Sequence, residues 1–158
     1  MSEVISPIPL LLRWLVATLH LLTLPLGLGA VWMRARALRH VRTAADLPPV
    51  FTADNLWGLA AFLWIATGLW RVLGGLEKPT GYYIHAPVFY AKMGLFLLVF
   101  LLELWPMITL IRWRGAVRRG VAIDTAPAAA LAQISQVQIV LVVVIAFAAT
   151  ALARGFFF

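Results

Sequence analysis

The chain has 158 residues, of which 63% are apolar and only 12% are charged. Soluble domains run near half apolar and about a quarter charged, and a mean hydropathy of +0.95 leaves too much apolar surface for one. Residues 14–33, 55–70 and 125–153 hold no charge, so the composition is that of an integral membrane protein. At ~20 residues per span, four spans with short connections fit, with no room for a separate soluble domain.

The net charge of +7 would suggest a nucleic-acid partner in a soluble chain. Here the basic residues concentrate in two connections: Arg34, Arg36, Arg39 and Arg42 in one, and Arg112, Arg114, Arg118 and Arg119 in the other. That is the positive-inside pattern of cytoplasmic loops, and no nucleic-acid partner is expected. There is no cysteine, which excludes disulfides, thiolate nucleophiles, Cys-ligated zinc, iron–sulfur clusters and covalent c-type haem attachment.

In chain order, the opening MSEVISPIPLLLRW lacks the basic n-region and cleavage site of a removable signal peptide, so the first apolar stretch reads as a span. Span one covers about 8–33, span two 55–75, span three 87–111 and span four 134–153. Loops 34–54 and 112–133 are then cytoplasmic, loop 76–86 is outer, and residues 1–158 form a single membrane domain. The fold class is an all-α, four-helix antiparallel transmembrane bundle with both termini outside (N-out/C-out), in a bacterial inner membrane. Pro25 should kink span one beside the small residues Gly27, Gly29 and Ala30. Asp54 reads as the N-cap of span two. Span four carries small residues at Ala146, Ala149, Thr150 and Ala153, suited to helix packing. Trp14, Trp32, Trp57, Trp70, Trp105 and Trp113 fall near span ends, as interfacial belts do, and Trp64 lies mid-span.

Ionisable residues within spans are costly and are functional candidates. His20 falls near the midplane, while Arg13, Arg71 and Lys92 share a depth roughly 10 Å towards the outer side on three helices. A porphyrin with its iron on His20 and its carboxylates turned to Arg13, Arg71 and Lys92 suits this layout. Equally, the three cations can snorkel independently to headgroups, and His20 can hydrogen-bond a neighbouring helix. His85, Tyr82 and Tyr83 belong to the outer loop that would roof this region, and His40 lies in an inner loop. Glu103 lies roughly 6 Å on the inner side with no charge nearby on its own helix. Its expected partners are Gln138 of span four or an arginine of the inner loops, as an interhelical hydrogen bond or as part of a proton relay. No HExxH, Walker A, GxGxxG or Ser–His–acid arrangement is present.

Three segments carry a family resemblance. RWLVATLHLLTLPLGLGAVWMRARALR resembles the first span of HemJ-type protoporphyrinogen oxidases, AFLWIATGLWRVL their second, and HAPVFYAKMGLFLLVFLL their third. Over nearly its whole length the chain also resembles a group of bacterial predicted membrane proteins of unknown function, similar in turn to HemJ and to the membrane domain of the copper-resistance protein CopD. The resemblance implies that His20 matches the family's first-span histidine and Lys92 its third-span lysine, both in a haem b or porphyrin site. The further histidines of HemJ-type proteins are lacking, and Glu103 and Leu104 occupy that stretch.

Three functions follow as expectations. The first is a haem b- or porphyrin-binding, redox-active membrane protein with His20 as axial ligand, whether or not it is an enzyme. The second is a non-catalytic subunit of a larger membrane complex or a homo-oligomer, its cations holding anionic lipid. The third is a copper- or ion-handling protein, disfavoured by four methionines, no cysteine and no carboxylate pair at one depth.

Overall fold

The computed structural model describes residues 9–73 and 87–154, and all the elements in them are helical. Helix α1 is Leu10–Leu38, α2 is Leu47–Leu73, α3 is Pro87–Arg118 and α4 is Ala128–Ala153, with a 3-10 turn at Ala44–Asp46. Each helix is long and apolar enough to cross a membrane. Lipid offers backbone N–H and C=O groups no partner, so continuous helices are what such apolar sequence must form. The chain is therefore a multi-pass membrane protein in contact with lipid.

The helices outrun the expected spans. α1 continues through Arg34 and Arg36 to Leu38, and α2 starts at Leu47 with Pro48 and Pro49 in its first turn, where a missing N–H costs nothing. Asp54 therefore lies two turns inside α2 and does not cap it. The expected connection 34–54 shortens to a tight link in which Asp46 accepts the backbone N–H groups of Arg42 and Thr43. α3 likewise runs on to Arg118 and closes through Gly120, whose φ of 65° is the left-handed conformation that glycine accepts freely. Gly120 donates to the Val117 carbonyl and Val121 to that of Ala116, the Schellman pattern. The expected outer loop 76–86, with His85, Tyr82 and Tyr83, lies outside the described residues.

α1 packs against both α2 and α4, and α3 packs against α4. The sidedness is that of a membrane protein. Large apolar side chains such as Leu21, Phe62 and Phe147 are 67–73% exposed, whereas Arg34, Ser135 and Gln138 are fully buried. One buried cluster, around Leu38, Leu47, Leu110, Trp113 and Leu131, closes the arginine-rich end of the bundle. A second, around Val31, Trp57, Val99 and Val142, fills the middle. Trp14, Trp32 and Trp70 are exposed near helix ends and Trp105 is exposed near the middle of α3, but Trp57 and Trp113 are buried in these clusters rather than in a belt. Their proximity to span ends concealed that they face neighbouring helices.

Pro25 and Pro106 both sit within unbroken helices. Of the small residues near Pro25, Gly27 is the one at a tight contact. A Cβ built there would lie 3.5 Å from Ala60 Cβ, Trp57 Cζ3 and Trp64 Cη2 alike. That distance admits a methyl group and nothing larger. Gly27→Ala should leave the melting temperature in detergent essentially unchanged. Gly27→Leu should destabilise by roughly 1–3 kcal/mol, read from thermal unfolding of the purified protein.

Candidate functional site

Two polar groups occupy the bundle at different levels. At the arginine-rich end, Arg34 of α1 points into the interior with no solvent exposure. A guanidinium has five N–H donors, and all five are used here. Nη1 donates to Asp54 Oδ1 at 2.9 Å and to Glu103 Oε1 at 2.7 Å. Nη2 donates to Glu103 Oε2 at 2.7 Å and to Gln138 Oε1 at 2.8 Å. Nε donates to Ser135 Oγ at 3.2 Å, whose own proton goes to the Leu131 carbonyl.

Glu103 is thus held bidentately, and its Oε2 also accepts from Trp57 Nε1 at 2.9 Å and from Gln138 Nε2 at 2.8 Å. Asp54 uses its second oxygen for Arg114 at 2.8 Å. Arg114 also donates to Asn55 Oδ1 and lies over the Phe51 ring. Two cations and two carboxylates sum to zero charge, and the ligating side chains come from all four helices. This is the chemistry of a lock: every donor of Arg34 is committed to a neighbour.

Both partners expected for Glu103 are present, Gln138 and an arginine. The carboxylate pair expected to be absent is here as well. Asp54 and Glu103 share one guanidinium because α2 starts early enough to carry Asp54 alongside α1. Arg34 itself was expected in a loop. The signal for it is the stripe Gly27, Ala30, Val31, Ala35 and Leu38, whose 3–4 spacing puts position 34 on the packed face.

The second group lies about 20 Å further along α1. His20 Nδ1 is 2.7 Å from Thr67 Oγ1, and Thr67 Oγ1 is 2.5 Å from the Leu63 carbonyl. A hydroxyl has one proton. With that proton on the Leu63 carbonyl, Thr67 can only accept from His20, so Nδ1 is the protonated nitrogen. Gly68 borders the ring, with room between its Cα and His20 Cε1 for no more than a methyl group.

Arg13, Arg71 and Lys92 are each half-buried towards the far ends of α1, α2 and α3. Arg13 lies seven residues from His20 and Arg71 four from Thr67, so helical register sets each on the same face as the His20–Thr67 pair. Lys92 stands on α3, towards the same end of the bundle. Thr67 was not singled out in the sequence, because nothing local marks a mid-span threonine as a histidine's partner. Among the described residues no three His, Cys, Asp or Glu side chains gather as a metal site.

A family model described as "Predicted membrane protein (DUF2214)" matches residues 12–156. No curated protein and no solved structure matches the chain, so the reading of its sites rests on the residues themselves.

The lock makes a quantitative demand. Removing one member of a buried charge pair strands the other, which costs about 3–5 kcal/mol. Arg34→Ala should lose that much, and Arg34→Lys nearly as much, because an ammonium cannot reproduce the planar fork. The double variant Arg34→Met/Glu103→Leu should recover a large part of the loss. Unfolding of the three variants in detergent measures it; a fully stable Arg34→Ala protein would contradict the lock.

Proposed function

We propose, for a chain that belongs to the DUF2214 family of predicted membrane proteins, that the seam between the far halves of α1 and α2 binds haem b or a related porphyrin, with His20 as the axial ligand. The single observation that carries this reading is the His20–Thr67–Leu63 chain of hydrogen bonds. Imidazoles that ligate metals hold their second nitrogen in a hydrogen bond that fixes tautomer and ring plane. Here Nδ1 is so held by Thr67, and Nε2 is the nitrogen that would ligate the iron, so the residues fit the group. Haem in such a site supplies a one-electron iron couple.

The chain's own residues do the rest. Thr67 keeps the imidazole in the ligating tautomer. Gly68 packs against the ring at Cε1. Arg13 and Arg71, on the same helix faces, and Lys92 across on α3 supply cations for propionate carboxylates. The resemblance of three sequence segments to HemJ-type protoporphyrinogen oxidases is the reason for proposing redox work in this site. We place the arginine-rich ends in the cytoplasm and both termini outside, in the inner membrane of a bacterium, because exposed Arg36, Arg39, Arg42, Arg112, Arg118 and Arg119 all lie at that end.

The test is a reduced-minus-oxidised visible spectrum of protein purified from haem-replete cells. A b-type α-band is expected, absent from His20→Ala. In Thr67→Val the band should persist with haem affinity lowered about tenfold or more, which a merely structural histidine would not show. A colourless wild-type protein overturns the proposal.

A further inference from the structure

The link after α1 and the start of α4 enclose a groove of about 570 Å³ at the arginine-rich end of the bundle. Arg39 and Arg42 line it from the link, and Ala129, Ala132, Gln133 and Gln136 line it from α4. It follows α4 for about 12 Å, a little over two turns, from the level of the connections towards the membrane interior.

Its two cations differ from their neighbours. Arg34 and Arg114 are neutralised in the lock, and Arg36 lies over the Trp32 ring. Among the described residues, the side chains of Arg39 and Arg42 have no hydrogen-bond partner; Arg42 lies in the field of the Asp46 carboxylate, and Arg39 has no carboxylate beside it. The two acidic residues near them are already engaged: Asp46 accepts the N–H groups of Arg42 and Thr43, and Asp124 accepts that of Ala126. The groove therefore offers the charge of Arg39, with Arg42 beside Asp46, at its mouth, amide donors along α4, and an apolar wall of alanines.

We propose that this groove binds the headgroup of an anionic phospholipid from the leaflet on the arginine-rich side. Basic pockets beside transmembrane helices on the cytoplasmic side suit such headgroups. Arg39 and Arg42 engage the phosphate, Gln133 and Gln136 reach phosphate or ester oxygens, and the Ala129–Ala132 wall takes the upper acyl chain. That wall is what selects a lipid over a free phosphate. The site lies at the opposite end of α1 from His20 and stands independently of the haem proposal.

The experiment uses the full chain, delipidated in detergent and titrated with phosphatidylglycerol or phosphatidylcholine, with bound lipid counted by native mass spectrometry. Wild-type protein should retain phosphatidylglycerol in preference to phosphatidylcholine. Arg39→Gln/Arg42→Gln should weaken that retention by about tenfold or more. Ala129→Trp, which fills the groove and leaves both charges, should weaken it as well. Arg112→Gln/Arg118→Gln removes the same charge at the same end outside the groove and should bind as wild type. Equal retention by the Arg39/Arg42 variant, or equal loss in the Arg112/Arg118 variant, overturns the groove as the site. Displacement of phosphatidylglycerol by an equal concentration of inorganic phosphate overturns the lipid assignment. Melting curves matched to wild type establish that each variant is folded.

Discussion

A guanidinium with no access to water, placed where lipid surrounds the protein, is tolerable only if each of its donors finds an acceptor. Arg34 meets that condition through Asp54 on α2, Glu103 on α3, and Ser135 and Gln138 on α4. Helix association in a membrane receives no help from hydrophobic burial, since lipid tails are as apolar as leucine. Directional polar contacts must then set how the helices are rotated and how they slide against one another. A one-residue slip of α3 turns Glu103 by about 100° and shifts it by about 1.5 Å, which takes it out of the fork. The apolar clusters tolerate many arrangements, and the Arg34 fork tolerates one.

Trp57 shows how the lock and the packing depend on each other. Its ring edge abuts Gly27, its face lies 5.8 Å from the Arg34 guanidinium, and its indole N–H donates to Glu103. A side chain on α2 thus reads both α1 and α3. α2 and α3 pack mainly through their neighbours rather than against each other. Trp57–Glu103 and Asp54–Arg114 are the bridges between them at this level.

Depth separates the two polar groups in a chemically sensible way. The His20–Thr67 pair lies in the middle third of α1, where a charge costs most. The ionised cluster lies within two turns of the α1 C-terminus, nearer to water, and carries no net charge.

The four spans were legible because lipid asks only for length and apolarity, and charge-free runs report both. Helix ends were not, because turns that leave the apolar layer can stay helical through Arg34 and Arg36, and hydropathy reads those residues as loop. The partners of Glu103 were half legible. A lone mid-helix carboxylate demands a donor, and Gln138 at matching depth is an obvious one. Arg34 was hidden by its neighbours, since an arginine beside Arg36, Arg39 and Arg42 reads as a topology signal. Asp54 was hidden by position, since an acid before an apolar run resembles a cap. Thr67 lies 47 residues from His20, and only tertiary structure joins them.

The arginines at one end of this bundle do three different jobs, and a count of basic residues merges them. Arg34 and Arg114 are balanced by Asp54 and Glu103 in the folded protein, so they add no net charge to that end of the bundle. Six exposed arginines remain at that end: Arg36, Arg39, Arg42, Arg112, Arg118 and Arg119. The direction of the bias is therefore unchanged when the buried charges are removed from it. What changes is its meaning, because an arginine whose charge is cancelled serves the fold, and one left uncompensated beside a groove has charge to give to a ligand.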